Sequence, residues 1–194
     1  MTVPRRFFGR FARILRRSAV LAREEVSERM KHTLAVLVLN RPGVLARISG
    51  LLSRRVFNIE SIAAGYTEEP DVTRITIVVQ GDDQVMDQVM KQLSKLVDVI
   101  RIAELARSDA VDRELALIKV KAGPESRPHL VDIVEIFRAN IIDINRETMV
   151  IELTGDEQKI DALCTLLADH GIVEMVRTGK VSLSRGPGAV KFAP

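Results

Sequence analysis

The hydrophobic pattern of the first half of the chain changes period several times, and each change marks a new predicted element. Residues 33–39 form a short apolar run of strand length, which suits a strand buried on both faces. Leu45, Ile48 and Leu52 then recur at the spacing of one helix face. The later elements are predicted at 57–67 (strand), 72–80 (strand), 83–95 (helix) and 97–105 (strand), which gives the order β-α-β-β-α-β.

The second half of the chain repeats this pattern. The segment Ile77–Asp87 returns 74 residues later as Ile151–Asp161, and Val97–Arg101 returns 76 residues later as Val173–Arg177. The repeated elements are predicted at 115–121 (strand), 127–139 (helix), around 142 (strand), 148–153 (strand), 157–169 (helix) and 172–180 (strand). The predicted fold class is therefore α+β, with two tandem ferredoxin-like βαββαβ domains. Each is expected to be a four-stranded antiparallel sheet with two helices on one face.

The repeat divides the chain into five predicted regions. They are a basic amphipathic N-terminal extension (1–29), a first domain (30–106), a linker (107–114), a second domain (115–186) and a tail (187–194). The extension has eight arginines against three glutamates, a net charge of +5, whereas the whole chain carries +3. Three interpretations of the extension stay open: an organelle transit peptide, a membrane-surface or partner helix, or a segment upstream of the true start.

Charge and composition narrow the classes of protein. Apart from the extension, the chain is mildly acidic and has no basic surplus for a nucleic-acid backbone. The single cysteine excludes a disulfide framework and indicates an intracellular, cytoplasmic protein. No uncharged apolar run reaches about 18 residues, so we predict no membrane span. Domains this small are marginal alone, so we expect a homodimer or a hetero-complex.

Motifs for catalysis are scarce. The three histidines have no metal-ligand spacing and no neighbouring nucleophile. The sequence also lacks Gly-x-Gly-x-x-Gly, Walker and Gly-x-Ser-x-Gly motifs. We therefore predict a noncatalytic chain with no metal site.

The two copies differ most where the first strand of each passes into its first helix. The first copy has Asn40, Pro42 and Gly43 there, and the second copy has Glu125, Arg127 and Pro128 at the corresponding positions. A glycine before a helix lets a ligand approach the backbone, and the free N–H groups of the helix start suit a carboxylate.

An asparagine also opens the next strand of the first copy. This residue is Asn58, and the second copy has Asp143 at the corresponding position. Carboxamides offer donors to a carboxylate and acceptors to an ammonium group, so Asn40 and Asn58 together indicate an amino-acid site. The alternative that both asparagines are only turn residues stays open.

An ordered series of segments then identifies a family. Residues 37–45, Leu-Val-Leu-Asn-Arg-Pro-Gly-Val-Leu, together with 57–62, Phe-Asn-Ile-Glu-Ser-Ile, resemble an ACT domain, in particular that of the regulatory small subunit of acetohydroxyacid synthase. The resemblance covers roughly residues 31–186 and continues through 92–99, 114–120, 135–138, 141–143, 177–179 and 184–186.

This resemblance implies a noncatalytic subunit with a defined partner. Such a subunit binds a larger catalytic subunit that holds thiamine diphosphate, Mg and FAD, raises its activity and confers feedback inhibition by valine. The effector site would lie between the ACT domains of two chains. It would combine Asn40 and Gly43 of one chain with Asn58 of the other, and Gly65 falls near a position linked to the valine response.

Two other classes of protein share features with this sequence. An RNA-binding module shares the βαββαβ order, but it stacks bases on aromatic side chains of its central strands, and residues 72–80 and 97–105 have none. An amino-acid-sensing ACT protein that regulates another enzyme or a transcription system is the remaining alternative.

Overall fold

The first domain has the predicted order of strands and helices. The computed structural model describes residues 31–54 and 57–191, so the basic extension lies outside the described residues. The elements of the first domain are β1 (Lys31–Leu39), α1 (Val44–Arg54), β2 (Asn58–Tyr66), β3 (Val72–Gln80), α2 (Asp83–Leu93) and β4 (Val99–Leu105).

The four strands form one antiparallel sheet in the order β2-β3-β1-β4. One face of this sheet packs against both helices. The buried residues of this core are Leu34, Val36, Val38, Val44, Ile48, Leu52, Ile75, Ile77, Val79, Met86, Val89 and Leu93. Alternate residues of β1 from Leu34 and of β3 from Ile75 are in this set, because side chains alternate between the two faces of a strand.

The second domain repeats the arrangement and adds a strand. Its elements are β5 (Ala110–Lys121), α3 (Arg127–Phe137), β6 (Asn140–Ile144), β7 (Thr148–Gly155), α4 (Glu157–Ala168), β8 (Ile172–Arg177) and β9 (Val181–Ser184). Its sheet has the order β6-β7-β5-β8, with β9 also paired to β5. The fold class predicted from the sequence, two tandem ferredoxin-like domains, is confirmed. The sequence predicts four strands in the second copy, and this prediction is wrong because the structure has a fifth strand, β9.

The predicted linker, 107–114, is mostly strand. Only a single 3-10 turn, Arg107–Asp109, separates the domains, and β5 begins at Ala110. The first third of β5 pairs with β9, from Ala110 opposite Ser184 to Arg113 opposite Val181. The polar composition of 107–114 concealed this strand, in which Asp112 and Glu114 are partly buried.

The predicted strand 172–180 is also corrected, because β8 ends at Arg177. Gly179 has a φ of +77°, a left-handed conformation that ends the strand and turns the chain back into β9. These residues therefore make a turn and a return strand where the sequence pattern suggested one continuous strand.

The ribbon of β5 and β9 covers the open face of the first sheet. Ala35, Leu105 and Ala110 form a buried cluster against which Val190 of the predicted tail packs. Arg74 of β3 crosses to the second domain, where it donates to Ser182 O at 2.8 Å. The two small domains therefore share buried surface, which offsets the weakness of each core alone. No helix of the described residues is long and apolar enough to cross a membrane.

Candidate effector-binding site

The turn between β1 and α1 holds two of the four predicted site residues, Asn40 and Gly43. Two backbone hydrogen bonds attach this turn to the residues just before β3 and β4: Asn40 N–H donates to Asp71 O at 2.8 Å, and Leu39 N–H donates to Asp98 O at 2.9 Å. Asn40 and Gly43 are both exposed. The turn therefore presents the Asn40 carboxamide and the start of α1 to solvent on a fixed backbone.

Gly43 is in a conformation that other residues adopt with strain. Its φ is +83°, and a Cβ placed on it would meet no atom within 4 Å. The first turn of α1 contains no acidic residue, whereas the side chains of Asp82 and Asp156 cap α2 and α4. The start of α1 thus combines open space with the partial positive charge of a helix N-terminus, which suits a carboxylate.

An ion pair that the sequence analysis missed fixes the start of α1. Arg47 Nη2 lies 2.6 Å from Asp98 Oδ2, and the Asp98 side chain is mostly buried. The same Asp98 accepts the Leu39 N–H through its backbone oxygen. The helix dipole disfavours a cation in the first turn of a helix, so an arginine at this place in the sequence indicates a nearby acidic partner.

In the second domain, the side chain of Arg127 fills the corresponding turn between β5 and α3. Arg127 Nη2 donates to Ala122 O at 2.9 Å, to Asn145 O at 2.5 Å and to Arg146 O at 3.2 Å. These bonds satisfy carbonyls around the start of α3 and place a guanidinium in the turn. The difference between the copies that the sequence indicated is therefore a difference between an open turn and a closed one.

Asn58 lies at the opposite end of the first sheet from Asn40. Asn58 stands opposite Gln80, which stands opposite Lys31, whereas Asn40 follows Leu39 at the far end of β1. Nine residues of β1 span about 27 Å at about 3.4 Å per residue. The two carboxamides of one chain therefore lie too far apart to contact one small ligand.

Strand β6 also begins at a different residue from the one that alignment of the two copies predicted. Asn140 opens β6, where Asp143 was expected, and its Nδ2 donates to Glu152 Oε1 at 3.2 Å. Asn58 Nδ2 likewise donates to the residue it faces, Gln80 Oε1, at 2.5 Å. Each domain thus begins its exposed edge strand with an asparagine bonded to the neighbouring strand.

Gly65, the fourth predicted residue, lies in a different place again. It is opposite Arg74 near the end of β2, and it lines a cavity of about 340 Å³ between the first sheet and the ribbon. Ala63, Val111 and Leu183 are among the apolar residues of the same cavity. The structure therefore places Gly65 apart from Asn58, at the boundary between the domains.

A site that uses both ends of the sheet requires two chains. Strand β2 pairs only with β3, so its other edge is unpaired within the described residues. Antiparallel pairing of two such edges about a two-fold axis places the start of β2 in one chain beside the end of β2 in its partner. The end of β2 is on the same side of the sheet as the Asn40 turn.

These features define a class of protein, an ACT-type chain with two related domains. A family model described as the AHAS (acetohydroxyacid synthase) small subunit-like ACT domain matches residues 34–101. A second model, described as the small subunit of acetolactate synthase, another name for the same enzyme, matches residues 113–186. Residues 1–33 lie outside both matches.

Individual relatives agree with both models. The chain is 54% identical over 157 residues to a probable acetolactate synthase small subunit of Archaeoglobus fulgidus, covering 81% of this chain and 98% of that protein. It is 48% identical over 162 residues to the acetolactate synthase small subunit of Mycolicibacterium smegmatis, covering 84% and 95%. The crystal structure of the acetolactate synthase small subunit from Thermotoga maritima superposes with a TM-score of 0.77 at 40% identity, covering 81% and 99%. The chain belongs to the family of acetolactate synthase small subunits.

Proposed function

We propose that this chain is the noncatalytic regulatory subunit of an acetolactate synthase. It binds the catalytic subunit, raises its activity and makes it sensitive to feedback inhibition by L-valine. Membership of the small-subunit family, over nearly the whole length of its relatives, is the observation that carries this proposal. Thiamine diphosphate, Mg and FAD then belong to the catalytic partner. The described residues hold no cluster of three or more His, Cys, Asp or Glu side chains suited to a metal.

The geometry of the first domain supports an amino-acid site between two chains. Asn40 and the start of α1, with Gly43, provide amide and backbone donors for a carboxylate, and Asn58 of the second chain provides a carboxamide for the ammonium group. A ligand held in this way bridges the two chains. It inhibits the complex only if it binds the inhibiting dimer geometry more tightly than the activating one. A coupling of about 1 to 3 kcal/mol corresponds to a change of about 5 to 150-fold in affinity.

The test is a reconstitution of the full chain with the catalytic subunit. We expect the chain to raise acetolactate formation, and L-valine to reverse that increase in a saturable way. The variant Asn40→Ala should still activate but should respond to L-valine only at about tenfold or higher concentration, because one ligand contact is lost. Asn140→Ala is the matched control, since it removes a similar carboxamide from the edge strand of the second domain and should leave the valine response unchanged.

This experiment distinguishes activation of the catalytic subunit from feedback inhibition by valine. Failure to activate the catalytic subunit would favour an ACT protein that serves another enzyme or a transcription system. Activation with no response to valine, leucine or isoleucine would remove the feedback role and keep the regulatory one.

A further inference from the structure

A continuous polar chain joins Asn58 to the second domain. Asn58 Nδ2 donates to Gln80 Oε1 at 2.5 Å, and Gln80 Nε2 donates to Glu60 Oε2 at 3.3 Å. The other oxygen of the same carboxylate, Glu60 Oε1, lies 2.5 Å from Lys31 Nζ. Lys31 Nζ also donates to Glu157 Oε1 at 2.8 Å, and Glu157 is the first residue of α4 in the second domain.

The local backbone explains why these side chains meet. Asn58, Gln80 and Lys31 stand opposite one another on three adjacent strands, so they form a row across the sheet. The register between β2 and β3 shifts between Ile59 and Ser61, which makes Glu60 the extra residue of a β-bulge. A bulge redirects a side chain, and here it brings the Glu60 carboxylate onto the row.

The chemistry of the chain fixes the orientation of the Asn58 carboxamide. An ionised carboxylate only accepts hydrogen bonds, so Glu60 must face the amino group of the Gln80 side chain. The Gln80 carbonyl then faces Asn58 and accepts from the Asn58 amino group. The Asn58 carbonyl oxygen is left to accept from a ligand, and an ammonium group is the part of an amino acid that donates to it.

The link to the second domain is more protected than an ordinary surface pair. The side chain of Lys31 is only 16% exposed, between two carboxylates that belong to different domains. Burial lowers the pKa of Lys31, but the hydrogen bonds and charges of Glu157 and Glu60 outweigh burial and raise it above its ordinary value. Close charge pairs that are partly withdrawn from water are screened less than exposed ones.

We propose that Gln80, Glu60 and Lys31 are positioning residues that hold the Asn58 carboxamide as an ammonium acceptor and anchor it to Glu157 of the second domain. This inference rests on the proposed amino-acid site. It adds the second domain to the determinants of that site, although none of its residues touches the ligand. Exchange of a residue in the chain should therefore change which ligand chemistry Asn58 prefers, beyond any general loss of affinity.

The experiment compares two ligands that differ in one group. The full chain is titrated calorimetrically with L-valine and with L-2-hydroxy-3-methylbutanoate, which keeps the carboxylate and replaces the ammonium by a hydroxyl. We expect the wild type to prefer valine by about tenfold or more, since a charged donor makes the stronger bond. Glu60→Gln and Gln80→Leu should reduce this preference severalfold, because the Asn58 carboxamide is then free to turn its amino group to the ligand.

Variants of the ion pair test the anchor. Glu157→Gln and Lys31→Met should reduce the preference in the same direction, and Lys31→Arg, which retains both ion pairs, should preserve it. Glu174→Gln is the matched control, because Glu174 is an exposed carboxylate of the second domain paired with Lys119. Circular dichroism of each variant establishes that it is folded.

Two outcomes would overturn the inference independently of the proposed function. An unchanged ligand preference in folded Glu60→Gln and Gln80→Leu that still bind valine would reject the positioning role and leave the effector site in place. If the wild type binds neither ligand, the proposed site fails, and the chain is then tested by hydrogen exchange at residues 157–160. Faster exchange in Gln80→Leu than in Glu174→Gln would support the connection to α4, and equal exchange would reject it.

Discussion

Gly43 has a φ of +83° and open space around it. The backbone conformation, and not packing, therefore determines the effect of a substitution at this position. Gly43→Ala should lower the free energy of unfolding by about 1 kcal/mol, because a Cβ disfavours the left-handed region. The variant should also weaken valine binding if the turn rearranges. Denaturant unfolding and calorimetry measure the two effects.

Gly50 provides the control for this prediction. It lies inside α1, and a Cβ there would also meet no atom within 4 Å. Gly50→Ala should raise stability by about 0.5 to 1 kcal/mol, because alanine favours a helix interior. Equal effects of the two substitutions would contradict the conformational role assigned to Gly43.

The Lys31–Glu157 pair predicts a defined dependence of stability on pH. Burial raises the pKa of Glu157, but the hydrogen bond and charge of Lys31, with Lys180 and Arg177 nearby, outweigh it and lower the pKa below its ordinary value. A depressed carboxyl pKa stabilises the fold above the unfolded pKa of about 4.3, and this contribution is lost as the pH falls through the folded pKa. The raised pKa of Lys31 keeps its contribution until the pH rises above about 10.4 and through the folded pKa.

The measurement is the difference in unfolding free energy between wild type and Glu157→Gln. It should be constant between about pH 6 and about pH 8 and should shrink as the pH falls below the unfolded pKa of about 4.3 and through the lowered pKa of Glu157, because the carboxyl group then becomes neutral. Glu174→Gln should show only a small difference at each pH, because its carboxylate is exposed. A difference for Glu157→Gln that persists in acid would mean that packing, rather than charge, stabilises this contact.

Sequence reasoning reached some site residues and not others for a physical reason. Asn40 and Gly43 could be predicted because the loss of a glycine between two copies is visible in the sequence. The row of Lys31, Gln80 and Asn58 depends on the register of three strands, and the part played by Glu60 depends on a bulge. Neither register nor bulges can be read from composition and periodicity.

Helices α2 and α4 begin in the same way in both domains. Asp82 accepts from Val85 N–H at 2.8 Å, and Asp156 accepts from Lys159 N–H at 2.8 Å. Asp82→Ala and Asp156→Ala should each cost about 1 kcal/mol of stability, because an N-cap satisfies a donor that is otherwise unpaired. Thermal unfolding measures the loss, and Asp82→Asn is the control that retains the cap. A neutral effect of both alanine variants would show that tertiary packing alone determines these helix starts.

Element order was predicted well because β1 and β3 are buried on both faces and therefore form apolar runs of strand length. The strands that join the domains were predicted less well, because their apolar residues contribute to two different cores. Ala110 packs under the first domain, while Ala116 and Ile118 of the same β5 pack in the second core. A strand that packs in two cores therefore looks like a polar connector followed by a short strand.

The placement of Asn40 and Asn58 at opposite ends of one sheet leads to a prediction for the whole assembly. In a dimer with two shared sites, a chain carrying Asn40→Ala weakens ligand binding at the site that contains its β1–α1 turn. A chain carrying Asn58→Ala weakens ligand binding at the site that contains the start of its β2. Each variant alone should therefore have two weakened sites in its dimer. A mixed dimer, in contrast, collects both substitutions in one site and leaves the other intact.

Refolding or exchanging the two variants in equal amounts should therefore restore binding at roughly a quarter of all sites, with wild-type affinity, because about half of the dimers are mixed. Calorimetry of the mixture against L-valine measures the stoichiometry, and the two unmixed variants are the controls. If Asn40 and Asn58 of one chain served the same site, a mixed dimer would have no intact site and mixing would restore nothing. The recovered stoichiometry thus distinguishes a shared site from a site within one chain, and the separation of about 27 Å across the sheet makes the shared site the expected result.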